Sequence, residues 1–437
     1  MAFTKPKPLS GFPEWLPEER AVELQWLDSI RRVFESHGFA SIETPSVEAV
    51  GVLAAKGGDA DKEIYGVRRL NAEPGEAASF DIALHYDLTV PMARYVAQHF
   101  DKLSFPFKRY QIQRAWRGER PQEGRFREFY QCDIDVVDLD EVALQFDADI
   151  PLVMLETLRA LKLDRVAFSV NNRKILQGFY QGIGIADITG AIRIVDKMDK
   201  IGPEGVRKML VDALSLPAAQ ADQCVALAGI KTPDGSFAER VRALGVSHEE
   251  LDAGLDELSF VMRELRSAGA AENVVADLSI ARGFDYYTGT VYEGKLLDFP
   301  GYPSICSGGR YDNLVGSFSR QRLPGIGMSL GLTRLFSKLH KEGLLPRGAA
   351  SPAHVLVVQL PGLPRERTQE TARRLRARGW NAEAYHKEAK LDKQIQYATR
   401  KGIPNLWFPG AGGAPDEVKN LATREQSPAD AETWRPS

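Results

Sequence analysis

The spacing of apolar residues changes several times along the chain and divides it into helical and extended segments. Apolar residues at helical spacing over residues 17–39 predict an amphipathic helix. The β-branched stretch over residues 40–44 predicts a strand that leaves this helix. Residues 107–117 and 129–137 alternate with a period of two on either side of a polar stretch, which is typical of an antiparallel hairpin with a long charged tip.

Helical and extended patterns continue to alternate in the middle of the chain. Residues 141–162 and 173–268 repeat apolar residues at intervals of three and four, so we predict a helix and then an all-helical block. Residues 277–296 and 303–309 return to strand patterns, and residues 324–339 predict a glycine-spaced strand that leads into a helix. Antiparallel strands combined with a separate helical block favour an α+β fold.

A second part of the chain begins after a stretch rich in Pro, Gly, Ala and Ser over residues 344–353, which predicts a linker. Strands and helices then alternate over residues 354–437, and this alternation predicts a small, separate α/β domain. We therefore expect domains at residues 1–343 and 354–437, with the helical block at about 173–268 inserted in the first.

The composition narrows the class of protein. Of 437 residues, 43% are hydrophobic and 26% are charged, which excludes a wholly disordered or collagen-like chain. Three cysteines are too few for a disulfide framework or a four-ligand zinc site. No apolar run approaches the roughly 18 residues that cross a bilayer, and the first residues lack a secretory pattern. We expect a cytoplasmic protein that does not enter a membrane.

Charge is distributed unevenly, although the formal net charge is only −3. Residues 352–437 carry 14 Lys and Arg against 10 Asp and Glu, and residues 108–128 carry seven against three. Local basic patches of this kind can attract a polyanion even when the whole chain is slightly acidic.

The strongest candidate for chemistry lies in residues 114–131, where arginines alternate with aromatic residues. The arginines are Arg117, Arg120, Arg125 and Arg127, and the aromatic residues are Trp116, Phe126 and Phe129. Arginine makes bidentate contacts with phosphates and stacks on flat rings, so this segment suggests a site for a nucleoside triphosphate. A solvated, charged hairpin is the alternative that composition alone leaves open.

Further segments carry candidate chemistry, although each also fits ordinary packing. Asp87 and Thr89 lie two residues apart, and such a pair on one strand face suits an α-ammonium group. Residues 281–293 form a period-two strand with adjacent tyrosines. Residues 307–312 and 325–335 contain glycines that permit close backbone approach, but they do not match a Walker loop.

Four segments, taken together and in the order in which they occur along the chain, resemble the histidyl-tRNA synthetase family of class II aminoacyl-tRNA synthetases. They are RAWRGERPQEGRFREFYQCDID (114–135), ARGFDYYTGTVYE (281–293), SGGRYDNLVGSF (307–318) and GIGMSLGLTRLF (325–336). The resemblance spans nearly the whole chain and extends to KLDKQIQYATRKGIPNLWF (390–408). It implies an antiparallel catalytic sheet with a helical insertion, followed by a C-terminal anticodon-binding domain.

The resemblance also implies an activity, in which ATP activates L-histidine and the histidyl group is then transferred to the 3′ end of tRNA(His). Arg117 and Arg282 match the family's catalytic arginines at the α-phosphate. Residues at positions that contact ATP are Arg117, Glu119, Arg125 and Arg334. Magnesium is expected on the phosphates, but no metal ligand can be assigned.

The pocket for histidine follows from the same resemblance. Its residues are Asp87, Leu88, Thr89, Gln131, Asp135, Tyr286, Tyr287 and Tyr311. An acid and a phenol, Asp135 and Tyr287, would face the two ring nitrogens. Such a pair can bind one donor and one acceptor of the imidazole ring. An analogue that lacks this donor and acceptor would leave buried polar groups of the site unpaired.

Contacts with tRNA are implied for two regions. Gln122 in the hairpin tip would approach the acceptor end, and Lys387, Lys390, Lys393 and Gln394 are candidates for the anticodon. Exposed lysines are more often simply solvated, and that alternative stays open. The resemblance further implies a homodimer formed around Thr44 and Pro45.

Three positions depart from the family pattern. Thr333 stands where a glutamate often precedes the last arginine, His85 stands where arginine is common, and Asp135 replaces a glutamate found in many members. The main rival hypothesis is a non-catalytic, synthetase-like regulatory paralogue that binds histidine or a partner enzyme. Such proteins tend to lack the RGFDYY-type segment and the anticodon-binding domain, both of which this chain retains. A general RNA-binding module is a second rival.

Overall fold

In the computed structural model, the chain divides into two compact units. Met1–Pro13 and Leu27–Glu342 make up the first unit, and Glu14–Trp26 and Gly343–Ser437 make up the second. Residues 14–26, which the sequence analysis assigns to the first domain, thus cluster with the second unit. The residues that the structure describes are 5–54, 63–70, 80–281, 287–312, 315–410 and 414–436. Within these ranges, no helix has the length and apolar character needed to cross a membrane.

Helices occur along the whole chain. They are α1 (Pro17–Ser36), α2 (Val50–Leu53), α3 (Thr89–Gln98), α4 (Phe146–Ala160), α5 (Arg173–Gly182), α6 (Ile188–Val195), α7 (Met198–Leu214), α8 (Ala218–Ala228), α9 (Phe237–Arg242), α10 (Glu249–Leu265), α11 (Leu332–Lys341), α12 (Arg365–Ala377) and α13 (Leu391–Lys401). The predicted N-terminal helix matches α1, whose first turn carries two glutamates that favour the positive end of the helix dipole.

The strands of the first unit are mostly short, with one long pair. They are β1 (Ala40–Ser41), β2 (Val47–Ala49), β3 (Gly66–Val67), β4 (Ile82–Leu84), β5 (Phe107–Trp116), β6 (Glu128–Val137), β7 (Val166–Asn172), β8 (Lys231–Thr232), β9 (Val274–Asp277), β10 (Thr290–Leu296), β11 (Cys306–Tyr311) and β12 (Gly325–Gly331). The long pair, β5 and β6, is the hairpin that the period-two alternation predicts.

Nine of the described strands of the first unit form one sheet, in the order β1-β5-β6-β12-β11-β10-β7-β9-β8. Neighbours are antiparallel except for the pairs β1–β5 and β7–β9. A smaller sheet has the order β2-β4-β3. This mainly antiparallel sheet with separate helices confirms the predicted α+β class.

The two faces of the β5–β6 hairpin differ in chemistry. One face carries Tyr110, whose ring lies 5.8 Å from that of Phe34 in α1, and Trp116, whose indole N–H donates to Glu128 at 2.9 Å. The opposite face carries a row of polar side chains. Because side chains alternate along a strand, an unbroken ten-residue register keeps this polar row on one face.

The predicted helical block corresponds to α5 through α10. It is not entirely helical, because the short strand β8 lies between α8 and α9 and pairs with β9. Asn172 caps α5, since its side-chain oxygen accepts a hydrogen bond from Lys174 N at 3.0 Å. Gly202 adopts φ +69° inside α7 and interrupts the regular helix there.

The second unit contains a five-stranded sheet with helices packed on both faces. Its described strands, in the order β14-β13-β15-β16-β17, are β13 (Val355–Val357), β14 (Ala382–Ala384), β15 (Asn405–Phe408), β16 (Glu417–Asn420) and β17 (Gln426–Pro428). Val355 packs with Leu375 of α12, whereas the next residue, Leu356, packs with Ala398 of α13. A strand buried on both faces explains the continuous apolar run around β13.

Candidate active site

A cavity of about 740 Å³ lies in the first unit, beside β6, β11 and β12. Most residues singled out by the sequence analysis line it. They are Asp87, Thr89, Arg117, Glu119, Arg125, Gln131, Asp135, Tyr287, Tyr311 and Arg334. Segments far apart in sequence therefore meet at one cavity, with arginines near the hairpin loop and acids on the sheet.

Other predicted residues do not line this cavity or cannot be located. Leu88 is fully buried and its side chain lies in the core, so it is not part of the cavity wall. Gln122 is exposed in the hairpin loop. Arg282 and Tyr286 lie outside the described residues.

Arg117 is held firmly at the cavity wall by its neighbours. Its backbone N–H donates to Arg127 O at 3.0 Å, which closes the base of the hairpin loop. Its Nε donates to Tyr86 O at 3.0 Å, and its guanidinium carbon lies 5.1 Å from the centre of the Phe129 ring. These contacts fix a permanent positive charge in a position where a phosphate group could bind.

The hairpin loop itself makes a tight turn. Gln122 and Arg125 exchange backbone hydrogen bonds of 3.3 and 2.9 Å across Gly124, which has φ +73°. Arg125 also forms an ion pair with Glu119 at 3.0 Å. The loop thus presents alternating positive and negative groups to the cavity.

Arg334 joins this loop to the sheet. Its Nε donates to Gly124 O at 2.6 Å and its Nη1 donates to Ser304 O at 2.5 Å. The hydroxyl of Tyr302 donates to Arg334 O at 2.9 Å. Arg334 lines the cavity and also positions the loop through its side chain.

The acidic end of the cavity is built from cross-strand pairs of the hairpin. Arg109 faces Asp135, Gln111 faces Asp133 and Gln113 faces Gln131, so that three residues of β5 are matched by three of β6. Asp133, Asp135 and Gln131 line the cavity, and all six residues are buried. The two glutamines of β5 bond to each other at 2.7 Å and to the Thr44 residue beside β1.

Asp135 is engaged through both oxygens. Its Oδ2 lies 2.5 Å from Arg109 Nη2, and its Oδ1 accepts a hydrogen bond from the Tyr311 hydroxyl at 2.8 Å. Burial raises the pKa of Asp135 to about 6, although the charge of Arg109 opposes this rise. Arg109 is fully buried, so the ion pair lies in the interior of the sheet.

Glycines on neighbouring strands make room for the side chains that line the pocket. A Cβ atom at Gly327 would overlap Asp135 Oδ1, and a Cβ atom at Gly309 would lie 2.8 Å from the Tyr287 ring. Both glycines lie in the motifs that the sequence analysis noted for close backbone approach. The groups that approach these two glycines closely are the side chains of Asp135 and Tyr287.

Two functional candidates, Arg109 and Asp133, were missed by the sequence analysis. Asp133 lies between Gln131 and Asp135 on the same face of β6, which the period-two rule could have shown. Burial raises the pKa of Asp133 to about 7; Arg109 lowers it, while Asp135 raises it further. Burial likewise raises the pKa of Asp87.

The two departures from the family pattern at His85 and Thr333 have structural roles. The ring nitrogens of His85 lie 3.1 Å from Pro45 O and 2.7 Å from Arg114 O, so the buried ring links the chain before β2 to β5. The Thr333 hydroxyl accepts a hydrogen bond from Tyr130 N at 2.8 Å and attaches α11 to β6. Neither side chain is among those that line the cavity.

In the second unit, Lys387, Lys390 and Lys393 are exposed, but Gln394 is fully buried. The Gln394 side chain accepts from Gln359 N at 2.9 Å and donates to Gln359 O at 2.9 Å. Its polar atoms are thus used inside the unit, which corrects the prediction that Gln394 contacts RNA. No group of three or more metal-ligating side chains is present among the described residues.

Comparisons with known proteins agree with this architecture. The profile described as Histidyl-tRNA synthetase matches residues 11–335. A histidine–tRNA ligase of Thermobifida fusca is 55% identical over 98% of both chains. The crystal structure of histidyl-tRNA synthetase from Nostoc sp. PCC 7120 is 37% identical, with a TM-score of 0.86 over 99% of this chain and 98% of that one.

A more distant structure shares the fold alone. It is an ATP phosphoribosyltransferase regulatory subunit/histidyl-tRNA synthetase from Bacillus halodurans, 21% identical, with a TM-score of 0.74 over 91% of this chain and 97% of that one. The fold is that of the class II aminoacyl-tRNA synthetases. Within that class, the chain belongs to the histidyl-tRNA synthetase family.

The raised pKa of Asp133 predicts how stability changes with pH. Above the ordinary pKa of 3.8 and below about 7, the folded chain keeps a proton on Asp133 that the unfolded chain releases. Asp133 therefore stabilises the fold at low pH, and this contribution is lost as the pH rises through 7. We expect Asp133→Asn to raise the Tm of the ligand-free protein by about 2–4 °C at pH 8 and by clearly less at pH 5, where only part of this contribution has been lost.

Thermal melts at the two pH values measure this difference. Asp164→Asn, which changes an exposed acid before β7, is the matched control and should give no pH-dependent shift. A lower Tm for Asp133→Asn at pH 8, or an equal shift at both pH values, would contradict the prediction.

Proposed function

We propose that the chain is a histidine–tRNA ligase. It activates L-histidine with ATP, releasing pyrophosphate, and then transfers histidine from the adenylate to the 3′-terminal ribose of tRNA(His), releasing AMP. The observation that carries this proposal is one cavity lined both by the arginines Arg117, Arg125 and Arg334 and by the buried acids Asp87, Asp133 and Asp135. Such a cavity suits a polyphosphate beside an amino acid.

In the activation step, a carboxylate oxygen of histidine attacks the α-phosphorus of ATP, and the bond from that phosphorus to the pyrophosphate oxygen breaks. The carboxylate is already ionised at neutral pH, so no general base is required. The chain contributes positioning and positive charge. Arg117, fixed by Tyr86 O and Phe129, is proposed to stabilise charge that develops on the α-phosphate. The family resemblance adds Arg282 at the same phosphate.

At the acidic end, the proposed ring-binding groups are Asp135 and Tyr287. Asp135 is positioned by Arg109 and Tyr311, and the Tyr287 ring packs against Gly309. The Asp87–Thr89 segment is proposed to bind the α-amino group, and Gln131 to contact the substrate histidine. Magnesium is expected to enter with ATP on its phosphates. We further propose a cytoplasmic homodimer, as in the family expectation.

The transfer step requires contact with tRNA. Gln122 is exposed at the hairpin tip next to the cavity-lining Arg125, so the tip is proposed to approach the acceptor end. Lys387, Lys390 and Lys393 are exposed in the second unit, and we propose that they contact the anticodon region. The rival function, a regulatory paralogue that binds histidine without charging tRNA, differs in having no exchange activity.

Pyrophosphate exchange tests the proposed activity directly. Purified protein should exchange pyrophosphate into ATP when L-histidine is present and not when another amino acid replaces it. Arg117→Ala should lower kcat/KM for exchange by roughly 100- to 1,000-fold, because one preorganised charge at the transition state is lost. Arg120→Ala is the control, since Arg120 is exposed in the same loop and does not line the cavity.

Absence of histidine-dependent exchange in the wild type would refute the ligase and favour the regulatory paralogue. Equal effects of Arg117→Ala and Arg120→Ala would show that Arg117 has no specific role in the activation step. The proposed ligase activity would still stand.

A second prediction concerns the space that Gly327 provides. In Gly327→Ala, the added methyl group would overlap Asp135 Oδ1 and Ile134 O, so the acid must move. We expect affinity for L-histidine, measured by calorimetric titration, to fall by at least about tenfold. Gly235→Ala is the control, because a Cβ atom at Gly235 meets nothing within 4 Å. Unchanged affinity in Gly327→Ala would show that the position of Asp135 does not matter for binding.

A third prediction separates tRNA recognition from activation. Replacement of Lys387, Lys390 and Lys393 by Ala removes three exposed charges of the second unit and should raise the KM for tRNA(His) by about tenfold. Histidine-dependent pyrophosphate exchange should stay unchanged. Arg373→Ala, which removes an exposed charge from α12, is the control. An unaltered KM for tRNA in the triple variant would exclude these lysines from RNA binding.

A further inference from the structure

Three buried acceptor atoms in the cavity have no donor. They are Asp87 Oδ2, Gln131 Oε1 and Asp133 Oδ1, none of which has a hydrogen-bond partner among the described residues. The exposed fractions of these residues are only 3%, 8% and 2%, and all three residues line the cavity. Buried acceptors without donors cost free energy, and a ligand with several donors would recover it.

The orientation of the Gln131 amide is fixed by its surroundings. Its Nε2 donates to Ser329 Oγ at 2.7 Å, across the β6–β12 pair. Ser329 is also hydrogen-bonded to Asp133, which lowers the pKa of that acid slightly against the larger effect of burial. Because the amide nitrogen is used, the carbonyl oxygen of Gln131 remains as an acceptor.

The electric charge at this end of the cavity is unbalanced. Arg109 pairs with Asp135 through Oδ2, and Asp135 Oδ1 has its own donor in Tyr311. Asp133 and Asp87 have no ion pair among the described residues, although Arg109 lowers the pKa of both and Arg117 lowers that of Asp87. A cation with several N–H donors would both balance the charge and use the free acceptors.

We propose that Asp133 is a further substrate-binding residue, which binds the α-ammonium group of the amino acid together with Asp87 and Gln131. This inference rests on the proposed function. An ammonium group has three N–H donors and no acceptor, which matches three acceptor oxygens. Asp133 differs in role from Asp135, whose two oxygens already have donors and which is assigned to the ring.

The assignment has a consequence for protons. Since burial raises the pKa of Asp133 to about 7 in the ligand-free protein, this acid holds a proton more readily near neutral pH than an exposed carboxylate does. An ammonium group binds to the carboxylate, so ligand binding releases that proton. The groups that face Asp133 are Arg109 on β5, Asp135 on β6, Asp87 before α3 and Ser329 on β12.

Calorimetric binding to the full chain at pH 7.5 tests the inference with two ligands. L-Histidine carries the ammonium group, whereas 3-(imidazol-4-yl)propanoate keeps the ring and the carboxylate without it. Asp133→Asn should weaken L-histidine by roughly 10- to 100-fold, the loss of a charge-assisted hydrogen bond. Binding of the propanoate, measured by displacement at millimolar concentration, should change less than about threefold. Asp164→Asn is the control.

Proton release supplies a second measurement. Titration with L-histidine at pH 7 in phosphate and in Tris, buffers of different ionisation enthalpy, gives the number of protons released. The wild type should release more protons than Asp133→Asn, because only the wild type has a titrating carboxyl at this position. Equal weakening of both ligands would assign Asp133 to the ring or to the pocket as a whole, and would overturn the inference.

Other outcomes separate this inference from the proposed function. A wild type that binds no L-histidine refutes the proposed function itself. A wild type that binds L-histidine, with Asp133→Asn equal to it in affinity and in proton release, overturns only the role of Asp133. Melting curves of both variants at pH 7.5 show that the comparison is made between folded proteins.

Discussion

The buried ion pair between Arg109 and Asp135 is the constraint on which the acidic end of the cavity depends. A fully buried guanidinium is tolerated only when its charge is compensated, and Asp135 compensates it directly across the hairpin. The register that places Arg109 opposite Asp135 also places Gln111 opposite Asp133 and Gln113 opposite Gln131. A shift of one residue would turn the whole polar row to the face packed on α1, so the ion pair and the register support each other.

Because Arg109 is paired with Asp135, the neighbouring acids Asp87 and Asp133 can still bind a cation. The guanidinium of Arg109 forms an ion pair with Asp135 alone, and burial raises the pKa of Asp87, Asp133 and Asp135 even though Arg109, and Arg117 at Asp87, act against the rise. The ligand-free chain relieves the excess negative charge by holding a proton, whereas a bound amino acid would relieve it with an ammonium group. Burial of these acids costs free energy, and only a positively charged ligand offsets that cost. The site therefore selects for a ligand with a positive charge.

The sequence was enough to predict the α+β class, the hairpin and most helices, because each depends on a local period. The sequence did not show whether the polar face of a strand is exposed to solvent or buried. The alternation in β5 is equally compatible with a solvated row and with a buried one, and only the packing of neighbouring strands shows that Arg109 and Gln111 are inside. Gln394 illustrates the opposite error: it neighbours exposed lysines in sequence but lies four residues before the buried Ala398, on the inner face of α13.

The hairpin also orders the proposed binding groups along one direction. From the loop inward, β6 presents Gln131, Asp133 and Asp135 at successive positions about 7 Å apart, while Arg117 lies at the loop end. Phosphate, ammonium group and imidazole ring of the proposed reactants would follow the same order. Because this spacing is set by the rise of a strand, a substrate with a longer or shorter side chain would present its ring out of reach of Asp135. Selection by length would therefore come from the regular geometry of the sheet, and selection by chemistry from the acids it carries.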